Sequence, residues 1–277
     1  KAGSGALTQG NPDSAGVPAA FAELTQVVPY NDAAAIERVL KKHRRKVAAV
    51  ILEPVAGNMG FVPPQPGYLK AVRQACDAAG TLLIFDEVMT GFRVGWGGYQ
   101  NICGVRPDLT CLGKVIGGGL PLGAYGGRAE LFEQLAPDGP CYQAGTLSGN
   151  PVAVAAGLAT LRIARRKGTY ERLAAKLDLL ISDFRQAAGE HRVPLQIDRI
   201  GSMWGWFCNA QPVVDFATAN QSNEAQWAAF TRTMIAGGVN LAPSPFEAAF
   251  ISTAHDRDAL RHTVSAARDA FAAAGRA

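Results

Sequence analysis

The sequence is short of charge: 18% of its 277 residues are Asp, Glu, Lys or Arg, against roughly 25% in an average globular chain. What charge there is nearly cancels, 27 basic residues against 23 acidic, a formal net of +4. So small a balance argues against nucleic acid as the main partner, because phosphate backbones are bound by concentrated positive charge. Long apolar runs are lacking too. No stretch approaches the ~20 residues of a membrane helix, and no signal-peptide pattern opens the chain. Cysteine is scarce and odd in number. Cys76, Cys103, Cys111, Cys141 and Cys208 never stand as C-x-x-C, and the four histidines never pair at i, i+4. No metal site or disulfide framework is therefore expected, and a reducing cytoplasm is the expected compartment.

Apolar residue is not lacking. At 48% it suffices for a substantial core and excludes a disordered regulator. Glycine is in surplus, 31 residues, and twelve of them fall between 91 and 127. Such a cluster predicts either a pocket lined by backbone or a stretch rich in loops. The chain opens on Lys1 in KAGSGALTQGNPDSAGVPAA, so a segment upstream is expected in the parent protein.

Residues 1–22 read as a mobile loop. Asn31-Asp32 offers an N-cap for a helix to about Arg45. VAAVILE (47–53) and TLLIFDE (81–87) are apolar runs without alternation, as in strands buried on both faces, with a helix between them at about 67–79. Leu109 to Leu112 and Leu122 to Gly126 suggest two more short strands. Strand, helix, strand at this period predicts an α/β fold with a mostly parallel sheet. From Gly149 the pattern turns helical (149–166, 170–189) and then mixed, predicting a smaller α+β domain over 166–277 after a larger one over 1–165. The basic run Lys41 to Lys46 reads as a solvated helix end, where cations complement the helix dipole.

Lys114 is the one charged residue between Leu109 and Gly127. A lysine so isolated is either desolvated, which lowers its pKa and makes it a nucleophile, or set to hold an anion, or reaching out to solvent from a loop. A P-loop is excluded, since Asp108 stands where its first glycine belongs and Val115 follows the lysine. Asp86 and Glu87 end the second apolar run, where α/β sheets bind ligands. A carboxylate at one strand end, a lone lysine beyond the next strand and glycines around them are the parts that pyridoxal phosphate requires. The lysine holds the aldehyde, and the aspartate keeps the ring nitrogen protonated.

LIFDEVMTGFRVGWGG and the following GKVIGGGLPLGAYGG resemble the class-III, fold-type-I pyridoxal phosphate aminotransferases. Many of these read DEVQTG where this chain has Met89 for the glutamine. EPVAGNMGFVPPQPGYL, AGTLSGNPVAVAAG, VPYND and SPFEAAFISTAH extend the resemblance toward the aminomutases of that class. The resemblance implies an isomerase using pyridoxal 5'-phosphate and pyridoxamine 5'-phosphate, acting on a small amino aldehyde in a homodimer with shared sites. Lys114 would be the Schiff-base lysine and proton shuttle, Asp86 the partner of the ring nitrogen, and Val88 a contact on the ring face. Asn58 would lie near the ring hydroxyl, Gly145 and Thr146 at the neighbouring subunit's cofactor phosphate, and Glu247 before the substrate amine. Residues 1–22 would be a lid. Each position has a plainer role open to it. Asn58 could be a turn residue, Thr146 a helix cap, Val88 core, Glu247 an exposed carboxylate, and Glu53 an ion-pair partner. The family's earlier half, with its phosphate loop and ring-stacking aromatic, has no counterpart in this chain, which corresponds to about its last two-thirds. An intermolecular ω- or β-amino acid transaminase of the same class, and a non-catalytic fragment, are the competing expectations.

Overall fold

The computed structural model describes residues 16–277. In chain order the elements begin α1 (Ala19–Ala22), α2 (Ala33–Lys42), β1 (Ala49–Leu52), α3 (Tyr68–Ala79), β2 (Leu82–Glu87), α4 (Tyr99–Cys103) and β3 (Leu109–Leu112). A 3-10 turn over Lys114–Gly117 follows, then β4 (Ala124–Gly127), α5 (Ala129–Phe132), α6 (Pro151–Ala164) and α7 (Thr169–Glu190). The chain ends with β5 (Gln196–Ile200), β6 (Met203–Phe207), α8 (Phe216–Ala219), α9 (Glu224–Ala236), β7 (Ala249–Phe250) and α10 (Arg257–Ala274). Among the described residues no helix is long and apolar enough to cross a membrane. The fold is α/β, and the chain divides into two compact units.

One unit comprises Ala33–Val55 and Pro66–Tyr170. Its sheet runs β1-β2-β3-β4, the first three strands parallel and β4 antiparallel to β3. Leu83, Phe85 and Glu87 are fully buried along one face of β2, while Leu82, Ile84 and Asp86 are half-buried on the other. β1 stands at the end of the strand order among the described residues, and Ile51 there is 60% exposed. Helix α3 is bounded by Gly67 and Gly80, both left-handed, and Gly80 satisfies the last-turn carbonyls of Cys76 and Asp77.

Asp108 ties three strands together at the start of β3. Its carboxylate accepts the Leu83 amide at 2.7 Å and pairs with Arg73 at 2.8 Å and Arg128 at 3.1 Å. Its own amide donates to Leu83, and its carbonyl accepts the Arg128 amide. Burial opposes ionisation of this carboxyl, but the Leu83 amide and the two guanidiniums outweigh it and hold its pKa below the usual value. At the far end of β3, α6 lies on the Lys114–Gly117 turn. A Cβ on Gly157 would run into the Ile116 carbonyl oxygen, and one on Gly118 into that of Ala156.

The other unit comprises Ala56–Gln65 and Glu171–Ala277, with the described residues before Ala33. Its antiparallel sheet runs β5-β6-β7. All five residues of β6 are buried, and Trp206 stacks between Trp204 and Trp227 with centroids 4.9 and 4.7 Å apart. Phe184 of α7 meets Trp204 edge-on. Residues 56–65, which a cut near 165 leaves with the first half, count with this unit because they pack on its sheet. Gly205 has no Cβ where Phe61 lies, and Gly60, at φ +84°, has none where Phe207 lies. Of the pair Asn31-Asp32, Asp32 is the residue that immediately precedes α2, and the Asn31 side chain serves elsewhere. At φ +64° its side chain donates to the carbonyls of Pro63 and Val214 and accepts the Gln65 amide, stapling three segments. The lid read over 1–22 falls mostly outside the described residues.

Two outcomes follow for stability. Asp108→Asn costs about 2 kcal/mol at neutral pH by leaving paired guanidiniums without their charge. Because the folded carboxyl titrates below its unfolded value of about 3.9, urea titrations show this gap intact above that pH. The gap closes as pH falls through the folded pKa. Gly157→Ala improves helix propensity, yet thermal unfolding shows a net loss of about 1–3 kcal/mol, since a backbone oxygen cannot yield to the methyl.

Candidate active site

Parallel pairing brings the carboxyl ends of β2 and β3 to one edge of the sheet, the edge where α/β sheets bind ligands. Asp86 pairs with Cys111 and Glu87 with Leu112, so the next residues, Gly113 and Lys114, emerge beside Val88. A Cβ added to Gly113 would lie 3.1 Å from Val88 Cγ1. Asp86, Val88 and Lys114 are thereby gathered from two loops. Adjacent strand residues face opposite sides, and the two carboxylates divide accordingly.

Asp86 is half-buried and accepts the Val88 amide at 3.0 Å. Among the described residues no cation lies within ion-pairing distance of it. Burial, and then the charge of Asp86, push the neighbouring Cys111 thiol up. Glu87 is fully buried, and its carboxylate accepts the Thr90 hydroxyl, the Tyr99 and Gln100 amides and the Gln100 side chain, at 2.6 to 3.1 Å.

Lys114 is exposed, so the desolvated amine suggested by its apolar neighbours is not what this chain holds. The buried members of its turn are Ile116 and Gly117. What distinguishes Lys114 is its backbone, at φ +46°, a conformation that costs a residue with a Cβ of order 1–3 kcal/mol. Its ammonium makes no ion pair among the described residues.

Thr146 lies in an exposed turn and does not cap α6. Asn150 does so, accepting the Ala153 amide at 2.9 Å. Gly145 precedes that turn and accepts the Ser148 amide at 2.9 Å. Asn58 and Glu247 belong to the other unit. Asn58 is half-buried in the loop closed by Ala56 and Val62, and Glu247 lines a cavity of about 190 Å³ with Trp204, Asn240 and His255.

Of the twelve glycines between 91 and 127, eight have a close neighbour where a Cβ would stand, and Gly104, Gly119, Gly123 and Gly126 open onto free space. Gly91 makes room for Leu112 and Glu87, Gly98 for the Glu87 carboxylate, Gly118 for α6 and Gly127 for Asp108. They let the protein pack against itself. The separate duty of Glu87 and the clamp at Gly157 escaped the reading of the sequence. Strand alternation was the available signal for the first, and a glycine inside an alanine-rich helix for the second.

These residues fit pyridoxal phosphate. A half-buried carboxylate with a single backbone donor can take a protonated ring nitrogen, and an uncommitted lysine on a strained turn can take the aldehyde. The chain belongs to the class-III aminotransferases, whose family description, Aminotransferase class-III, matches residues 4–245. It is 54% identical over 271 residues to the glutamate-1-semialdehyde 2,1-aminomutase of Roseiflexus castenholzii, covering 98% of this chain and 62% of that protein. It is 55% identical over 274 residues to the same-named protein of Pelotomaculum thermopropionicum, covering 99% and 63%. The chain thus spans less than two-thirds of these relatives' length. Among solved structures it is similar to an omega-transaminase from Sphaerobacter thermophilus, with TM-score 0.89 and 31% identity, covering 95% of this chain and 60% of that one. It is also similar to a glutamate-1-semialdehyde aminomutase from Pseudomonas aeruginosa, with TM-score 0.80 and 27% identity, covering 90% and 57%.

The strain at Lys114 yields a prediction independent of any activity. Lys114→Gly is at least as stable as the parent chain in urea unfolding, because glycine adopts a positive φ freely and offsets its own entropy cost of roughly 0.5–1 kcal/mol. A clear loss of stability shows instead that the lysine side chain holds the turn.

Proposed function

We propose that this protein is a pyridoxal/pyridoxamine phosphate-dependent aminomutase that converts glutamate-1-semialdehyde to 5-aminolevulinate, the precursor of tetrapyrroles. The observation that carries the reading is the pair Asp86 and Lys114, opposite charges that make no ion pair among the described residues, at neighbouring parallel strand ends. The names of the relatives more than half identical to this chain support the substrate.

Bound pyridoxal phosphate supplies an aldehyde that condenses with amines and a ring that spreads negative charge from the adjoining carbon. Asp86 keeps the ring nitrogen protonated through a charge-assisted hydrogen bond, so that the ring can accept that charge. Lys114 Nζ takes the proton from one substrate carbon and returns it to the other, as base and then as acid. Val88, stiff at its branched Cβ, packs on the ring face beside Gly113. The resemblance would give Asn58 the ring hydroxyl, Glu247 the substrate amine, and residues 1–22 the cover that retains the two-amine intermediate. Gly145 and Thr146 would hold the cofactor phosphate of a second copy. Exposed Tyr142, Leu147 and Val152 on the same segment support a homodimer, since large apolar side chains so placed mark an interface. The five cysteines are free thiols, in keeping with the cytoplasm, or with a plastid in a plant or alga.

An intermolecular transaminase of the same class is the second reading, favoured by the higher TM-score to the omega-transaminase. Incubation of the protein with the semialdehyde and no external amino donor separates the two. The mutase forms 5-aminolevulinate, and Lys114→Ala abolishes both turnover and borohydride trapping of the cofactor. Ready transamination of added donors, with no product in their absence, sinks the mutase reading. Equal trapping by parent and Lys114→Ala sinks the lysine assignment.

A further inference from the structure

We infer that Glu87 is a positioning residue: its buried carboxylate fixes the turn after β2 so that Asp86 and Val88 are held in place to receive the cofactor ring. This rests on the reading of Asp86 and Lys114 given above and deepens it. Glu87 takes no part in the chemistry itself, because it faces away from Asp86 into the protein.

A carboxylate with no exposed surface is costly, and its companions on that face of β2, Leu83 and Phe85, are apolar. An apolar residue would suit the core at least as well, so burial alone does not account for Glu87. Its bonds do. The Thr90 hydroxyl reaches Oε2 at 2.8 Å and the Tyr99 amide at 2.6 Å, while the Gln100 amide and side chain reach Oε1 at 3.0 and 3.1 Å. Both oxygens are therefore doubly engaged by groups three to thirteen residues away. Gln100 also donates to Thr110 of β3 at 3.3 Å, which extends the clamp to the strand that leads to Lys114. The Glu87 carbonyl accepts the Gly91 amide at 2.7 Å and closes the turn that contains Val88.

Gly98 shows how closely the loop is fitted. It stands at φ +85°, and a Cβ there would occupy the position of the Glu87 carboxylate. The Val88 amide, at the other end of the same turn, is the group that holds the Asp86 carboxylate. Movement of the turn therefore moves both ring contacts. A reactive group displaced by about 1 Å can lose on the order of a hundredfold in rate, which is sufficient reason to retain a buried charge.

The test uses Glu87→Gln, in which an amide NH₂ must face donors, and the pair Thr90→Val and Thr90→Ser, which remove and restore one bond. Amide hydrogen exchange and the pH profile of the lysine-bound cofactor's absorbance are measured on each, with Lys114→Ala as the trapping control. Glu87→Gln is expected to speed exchange at Tyr99, Gln100 and Val88 by about tenfold or more, the worth of a hydrogen bond to a charged group. It also displaces the absorbance profile along the pH axis. Thr90→Val does the same to a smaller extent and Thr90→Ser restores the parent values, a comparison that decides the matter should Glu87→Gln fail to fold. Faster exchange at Tyr99 and Gln100, with Val88 and the absorbance profile unchanged, overturns the inference and leaves Glu87 as an anchor for α4. Cofactor trapping that is absent, or equal in Lys114→Ala, overturns the functional reading and this inference with it.

Discussion

The site depends on the register of β2 against β3, and that register is held at both ends by a buried carboxylate. At the entry of β3, Asp108 bonds the backbone of β2 and two arginines. At the exit of β2, Glu87 bonds the loop that carries the chain away. Parallel strands have no hairpin to set their alignment, so a slip by one residue is opposed by side chains. Such a slip would also turn each strand's inward residues outward. With both ends pinned, Asp86 and Lys114 fall at one edge although twenty-seven residues lie between them in the chain.

Close approach of backbone is the second requirement, and glycine meets it. The turn that begins at Lys114 is pressed by α6, which can come near because Gly157 and Gly118 present no side chain. A turn held this firmly can keep a lysine at positive φ. The strain is confined to Lys114, the residue proposed to hold the cofactor, while stability is supplied by the surrounding contacts. Much of the glycine surplus is thus a matter of packing, and Gly113 lets the chain pass close to Val88.

Much of this was legible in the sequence, for identifiable reasons. The run TLLIFDE announces a buried strand and LTCL a short one, and Lys114 stands out because nothing charged lies near it in the sequence. The motifs around Asp86 and Lys114 are specific enough together to indicate the class. Other features were not legible, because they depend on what the chain meets far away. Asn31 has the composition of a helix cap, yet three distant segments claim its side chain. Thr146 precedes a helix, yet Asn150 caps it. Ile51 lies in an apolar run, yet it is exposed on β1.

The sequence by itself determined the α/β order of elements, the class of the protein, and Asp86 and Lys114 as the pair to watch. These follow from local pattern, residue type and spacing along the chain. The tertiary structure alone decided that Asp86 accepts one backbone amide among the described residues while its neighbour Glu87 accepts four hydrogen bonds, and that of the roles open to Lys114 it stands exposed on a strained turn. Two adjacent carboxylates are indistinguishable in a string of letters. The pleat of the strand sends them to opposite faces, and only the packed fold supplies the donors that meet one and leave the other available.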